Sequence, residues 1–181
     1  MTETLNKSTR DAYGPALVEL AALYDDLVVI DGDVGAPAFK DAARNLRSNR
    51  YFNMGIAEQN MILTSAGLSL ANFRVFVSSL ASFLVGRAYD EIRETIAIPG
   101  LPVKLIASYG GVTVGEDGAT HQMLEDIALM RVLPGMGVLV PSDYNSAFAL
   151  IKGAAELNRP VYIRLGRPEL PLLYDNDDAN F

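Results

Sequence analysis

The chain has 181 residues, a formal charge of −7, half of its residues hydrophobic and one fifth charged, which excludes intrinsic disorder and collagen-like repeats and describes one ordinary globular domain. It contains no cysteine, so disulfides, thiolate metal sites and a cysteine nucleophile are ruled out, and its 15 Lys and Arg form no basic block that would hold a nucleic-acid backbone. No run approaches the roughly 20 apolar residues of a membrane helix and the N-terminus lacks a signal-like apolar stretch, so a cytoplasmic location is expected.

In chain order, Arg10 to Tyr24 reads as a helix, with Ala12, Leu17, Leu20, Ala21 and Leu23 over much of one face and Ser8 or Thr9 as its cap. LVVID (27–31) is a strand and YFNM (51–54) a shorter one. Residues 56–71 form an apolar helix, RVFVSSL (74–80) a strand, and 82–97 a second apolar helix. VKLIAS (103–108), GVLVPS (137–142) and VYIRLG (161–166) complete the strands, with a helix from Asp143 to Leu157 between the last two. Continuous apolar runs suit strands buried on both faces, and their alternation with helices predicts a doubly wound α/β domain with a mainly parallel sheet and helices on both sides. One domain is expected over 1–174, with the acidic residues 175–181 as the start of a linker.

In such sheets ligands sit beyond the carboxyl ends of the strands, so the loops after strands carry the candidates. DGDVGA (31–36) could line an anion or cation site through its glycines and carboxylates, although two such Asp also serve as turn formers. NMGIAEQN places Glu58 in the first turn of an apolar helix, close in sequence to Asn53 and Asn60. There it is either a partner of the helix dipole or, if buried, a carboxyl with a raised pKa able to share a proton with a ligand nitrogen. YGGVTVGEDGATHQ holds Asp117 and the only histidine, His121, in a glycine-rich loop after a strand, a setting common for acid/base groups. Arg164 and Arg167 end the last strand and Arg10 opens the first helix; converging, they would clamp a phosphate, and otherwise they make surface ion pairs. Phe83 and Tyr89, six apart on the second apolar helix, read by spacing as core.

FNMGIAEQNM, SFLVGRAYDEIR, GVTVGEDGATHQMLEDIALMRVLPGM, VLVPSD and RLGRPELP occur in that order between Thr9 and Leu172. Together they resemble the pyrimidine-binding domain of the transketolase family, including the C-terminal subunit of split transketolases and the related 1-deoxyxylulose-5-phosphate synthase. The resemblance implies a transferase that uses thiamine diphosphate to move a two-carbon ketol unit between sugar phosphates. It implies that Glu58 hydrogen-bonds N1′ of the cofactor's aminopyrimidine, favouring the imino tautomer whose exocyclic nitrogen removes the thiazolium C2 proton. It turns Phe83 and Tyr89 into packing around that pyrimidine, with Gly86 where many relatives carry a third aromatic. It gives His121 and Asp117 to the hydroxyls and reacting oxygens of the donor sugar, and Arg10 and Arg167 to the sugar phosphate. Tyr109 stands where many relatives have a phosphate-contacting histidine, Pro37 near a serine used similarly, and Asp33 at an acidic position lining the cofactor.

The family holds the diphosphate and Mg²⁺ on a separate domain through a GDG motif and a later Asn, so the metal is expected on a partner rather than here. The isolated chain is accordingly expected to be inactive, and to form a homodimer through residues 56–97 beside a diphosphate-binding partner subunit or domain. Acyl transfer from pyruvate, or a non-catalytic assembly domain, are the alternatives.

Overall fold

The computed structural model describes residues 6–34 and 49–175. The elements are β1 (Asn6–Ser8), a 3₁₀ turn (Thr9–Ala12), α1 (Tyr13–Leu23), β2 (Leu27–Asp31), β3 (Tyr51–Asn53), α2 (Glu58–Leu70), β4 (Arg74–Leu80) and α3 (Ala81–Glu91). They continue with a π-helical turn (Ile92–Ala97), β5 (Lys104–Ser108), α4 (Asp126–Arg131), β6 (Gly137–Leu139), α5 (Tyr144–Ala154), β7 (Val161–Arg164) and β8 (Glu169–Pro171). Six strands form one all-parallel sheet in the order β3-β2-β4-β5-β7-β6. The doubly wound parallel architecture expected from the sequence is therefore the observed one.

The inner strands of the sheet are rich in apolar residues because each face of the sheet has its own core. Val28, Ile30, Val77, Leu105 and Tyr162 pack with Met61 and Ile62 of α2 and Leu84 and Val85 of α3. Their neighbours in sequence, Leu27, Val29, Phe76, Ile106 and Ile163, point the other way against Leu17 and Leu20 of α1 and Ile151 of α5. This is the period of two applied to two buried faces, and each such side chain contributes about 1.5–3 kcal/mol on burial.

Several local expectations are corrected. Neither Ser8 nor Thr9 caps a helix: the chain enters α1 through the 3₁₀ turn with no side-chain cap, and Thr9 Oγ1 instead accepts from Gly166 N at 2.7 Å. Arg10 consequently sits in the 3₁₀ turn rather than opening α1. The helix expected over 82–97 leaves α geometry at Ala88 (φ −120°, ψ 24°) and ends in the π turn. No glycine or proline lies between 88 and 97 to signal that change. The strand expected over 137–142 stops at Leu139, since Asp143 is the N-cap of α5, in a capping box with Ser146. The antiparallel ribbon of β1 with β8 was not expected; its strands have three residues each, too short for a periodic signal.

At the amino ends of β4 and β5 a cleft of about 290 Å³ is lined by Asp26, Arg74, Lys104 and Glu156 among others. Lys104 is buried there and donates to Leu157 O and Arg159 O at 2.6 and 2.9 Å. Burial, together with the neighbouring Arg74 and Arg159 charges, lowers its pKa to about 8. No described helix is long and apolar enough to cross a membrane.

Candidate functional site

The carboxyl ends of the parallel strands gather most of the residues singled out in the sequence. After β3 the backbone turns sharply: Gly55 has φ +69° and donates to Asn53 Oδ1 at 2.8 Å. This turn delivers Glu58 as the first residue of α2, where it is 3% exposed. A carboxylate so buried needs compensation, and the helix N-terminus supplies part of it. The rest comes from α3, whose Arg87 Nη1 donates to both carboxylate oxygens at 3.2 Å. Glu58 is therefore a buried member of an ion pair rather than a carboxyl surrounded only by apolar groups.

Arg87 also lies over the ring of Phe83, four residues earlier on the same helix, at 3.9 Å from its centroid. On Phe83 the ring of His121 makes an edge contact, with centroids 5.1 Å apart and planes at 68°. His121 Nδ1 is 2.9 Å from Thr120 Oγ1. Glu58, Arg87, Phe83 and His121 thus form one continuous run of contacts drawn from α2, α3 and the loop after β5.

A second group centres on Tyr109, which takes a left-handed conformation (φ 61°) directly after β5. Arg10 and Arg167 lie over its ring at 4.9 and 5.4 Å, and Arg10 also donates to its hydroxyl. Arg167 is held in turn by Asp117 Oδ2 at 2.9 Å, Glu116 Oε1 at 2.6 Å and Val114 O at 2.7 Å. Two guanidinium groups therefore converge at the strand ends around an aromatic ring, and that of Arg167 is engaged with Glu116, which stands largely in water, and with the partly exposed Asp117.

Other candidates separate from these groups. Arg164 turns away from Arg10 and Arg167 to pair with Asp126, so the three arginines do not form one clamp. Tyr89 packs against the core and donates its hydroxyl to Leu129 O at 3.2 Å, whereas Phe83 faces His121. Asp33 is exposed, left-handed (φ 63°), and accepts from Asn53 Nδ2 at 2.7 Å. Asn60 is exposed on α2. Pro37 and the end of the DGDVGA segment lie outside the described residues. At Gly86 a side chain would meet nothing within 4 Å, which leaves open space on α3 between Phe83 and Tyr89.

Sequence reasoning missed Arg87 as the partner of Glu58. The available signal was physical rather than local: a buried glutamate entering an apolar helix demands a cation, and the other apolar helix carries two guanidinium groups, Arg87 and Arg93. It also missed that Tyr109 is the centre around which Arg10 and Arg167 assemble.

Residues 6–171 match the family described as transketolase, pyrimidine binding domain. The putative transketolase C-terminal section of Methanocaldococcus jannaschii is 44% identical over 95% of this chain and 54% of its own length. One of the subunits of the apulose-4-phosphate transketolase of Phocaeicola vulgatus is 36% identical over 95% of this chain and 55% of its own. A solved split-gene transketolase, described as an inactive β4 tetramer, superimposes with a TM-score of 0.84 at 46% identity, covering 94% of this chain and 55% of that one. The chain therefore spans about half the length of these relatives. The match runs through both site groups and all six strands of the parallel sheet, and on it the chain belongs to the transketolase pyrimidine-binding domain family.

Proposed function

We propose that this chain supplies the pyrimidine-side half of a thiamine diphosphate site in a transketolase that moves a two-carbon ketol unit between sugar phosphates. The observation that carries the reading is the buried carboxylate of Glu58 at the carboxyl end of the sheet, linked through Arg87 to the Phe83 ring and, on that ring, to the only histidine. The donor set suits an aminopyrimidine: a buried acceptor for a ring nitrogen, the Phe83 face, and the open space above Gly86 where a flat heterocycle could lie. When bound, thiamine diphosphate supplies a thiazolium carbon that can act as a nucleophile toward a ketose carbonyl.

Glu58 would share a proton with N1′ of the pyrimidine, and Arg87 would hold the carboxylate in one orientation for it. Phe83 would pack against its ring, and Tyr89 supports α3 from the core side. His121, at the rim of the same group, exchanges protons with donor hydroxyls and oxygens, and Asp117 accepts from those hydroxyls. Arg10 and Arg167 hold the sugar phosphate, which takes over the guanidinium contacts that Glu116 and Asp117 make in its absence. The diphosphate and Mg²⁺ belong to a partner domain or subunit, so the chain alone is inactive, in keeping with the inactive state described for the split-gene relative. Self-association through residues 56–97 has support in Ile56, Leu63 and Leu70, which recur every seven residues and are 68, 49 and 71% exposed.

The test is ketol transfer by the chain assembled with the diphosphate-binding subunit of its host. Glu58→Gln should lower kcat by about 100-fold with assembly intact, and Arg167→Ala should raise KM for phosphorylated donors by about tenfold. Unchanged turnover in the Glu58→Gln enzyme removes Glu58 from the chemistry and, with it, this reading.

A further inference from the structure

Arg164 is the one arginine of the strand-end set that faces no open site. It is the last residue of β7, its side chain is 20% exposed, and its Nε donates to Asp126 Oδ2 at 2.8 Å. Tyr162, two residues earlier and so on the same face of the strand, donates its hydroxyl to that same oxygen at 2.7 Å. Asp126 opens α4 and is fully buried, and its other oxygen has no hydrogen-bond partner. The compensation of this carboxylate therefore rests on Arg164 and Tyr162. Burial and the adjacent Asp126 charge push the Tyr162 hydroxyl well above its ordinary pKa, so it stays a donor.

The guanidinium does more than pair with a carboxylate. Its Nη2 donates to Met123 O at 3.2 Å, and Met123 O also accepts from Gly111 N at 2.8 Å. Gly110 and Met123 are joined by a β-bridge. The backbone of Gly110 and Gly111 lies flat against Arg164: a Cβ on Gly110 would come within 2.5 Å of Nε and 2.6 Å of Cγ, and one on Gly111 within 2.9 Å of Nη2. Both ends of the loop from Tyr109 to Asp126 thus close on one side chain. Between those ends the loop carries Asp117 and His121.

The geometry points to Arg164, with Asp126 as its anchor, as the positioning residue that holds the neck of this loop closed and so sets His121 against Phe83. The pairing is a specification of geometry, not only of charge. The planar fork reaches a carboxylate and a carbonyl while presenting a flat surface to two glycines, and a lysine ammonium can do only the first. That His121 is a catalytic group rests on the function proposed above; that Arg164 places it does not.

The single histidine makes the test direct, because its ring protons are unique in the spectrum of the chain. In the wild-type chain the nuclear Overhauser contact between the His121 and Phe83 rings is expected, together with a slowly exchanging Arg164 Nε proton in contact with Gly110 Hα. In Arg164→Lys the ring contact is lost although the charge is kept, while the amide pattern of β4, β5 and β7 is retained. Gly110→Ala displaces the same guanidinium without touching any charge and should lose the contact too. In the assembled enzyme each variant lowers kcat by roughly 10- to 100-fold, the scale of a displaced reacting group.

A folded Arg164→Lys or Gly110→Ala chain that keeps the ring contact overturns the inference. So does a wild-type chain in which the Arg164 Nε proton exchanges freely, a result that can be read even if both variants fail to fold. Absence of ketol transfer in the wild-type assembly overturns the proposed function instead, and leaves the magnetic-resonance result standing on its own.

Discussion

Replacing Arg87 by leucine in the isolated chain tests what keeps a glutamate buried at the mouth of the site. Glu58 is 3% exposed and meets Arg87 Nη1 at 3.2 Å through both oxygens, while the Arg87 side chain is 47% exposed. Removing one partner of a fully buried pair costs about 3–5 kcal/mol. With the guanidinium half in water, solvent screening reduces that to about 1–2 kcal/mol. Loss of the guanidinium from the Phe83 ring adds roughly 0.5–1 kcal/mol. The total of about 2 kcal/mol corresponds to a fall in Tm of about 4–8 °C for a chain of this size.

Glu58→Gln frees Arg87 to reach water and should cost less, about 0.5–1 kcal/mol. The double variant should then be less destabilised than the two single costs combined, by about 1 kcal/mol. Urea denaturation followed by circular dichroism measures all three. A neutral Arg87→Leu with additive singles would mean that the pair is a surface contact, and that something other than Arg87 compensates the buried carboxylate.

Two further outcomes follow from groups away from the site. Burial raises the Asp143 pKa, but donation from the Ser146 side chain and from the backbone amides of Ser146, Tyr174 and Leu173 outweighs it and holds the carboxyl below its ordinary value. Its contribution is therefore present above about pH 4 and is lost as pH falls through the depressed folded pKa. Asp143→Ala should cost about 2 kcal/mol at neutral pH, and its deficit against wild type should shrink in acid; a deficit independent of pH would refute the assignment. Lys104 has a folded pKa of about 8, below that of the unfolded chain. Between about pH 8 and 10.5 the unfolded state binds the extra proton, so wild-type stability should rise with pH relative to Lys104→Met, by up to about 3 kcal/mol. A constant difference across that window in denaturant titrations would show that Lys104 is not desolvated.

Strand positions were legible because burial on both faces leaves a mark that does not depend on partners: LVVID and RVFVSSL are apolar whichever neighbour they pair with. Helix interiors were legible for the same reason, and helix ends only in part: Asp143 opens α5 as expected, whereas others do not follow their residue types. Thr9, suited by type to a cap, bonds Gly166 from the far end of the chain, and the π turn after Glu91 has no residue type that demands it. At the site, Glu58, His121, Asp117, Arg10 and Arg167 stood out because a carboxylate, an imidazole or a guanidinium at a helix start, at a strand end or in a loop after a strand is chemically conspicuous. Arg87 did not, and Arg164 stood out only as a member of a phosphate clamp, because each engages a carboxylate that is remote in sequence and near only in the fold. The closeness of Gly110 to Arg164 is likewise a fact of packing, which no local pattern of a glycine-rich loop discloses.

The ribbon of β1 with β8 sets Asn6 opposite Pro171, so the first and last described segments of the domain run side by side. Neither strand belongs to the six-stranded sheet. Polypeptide continuing from Asn6 and from Pro171 would therefore leave the ribbon at a single corner, outside the six-stranded sheet. A domain wired in this way is a modular plug: it can be spliced into a longer chain, detached from it, or reconnected as a circular permutant across that corner, with the sheet register unaffected.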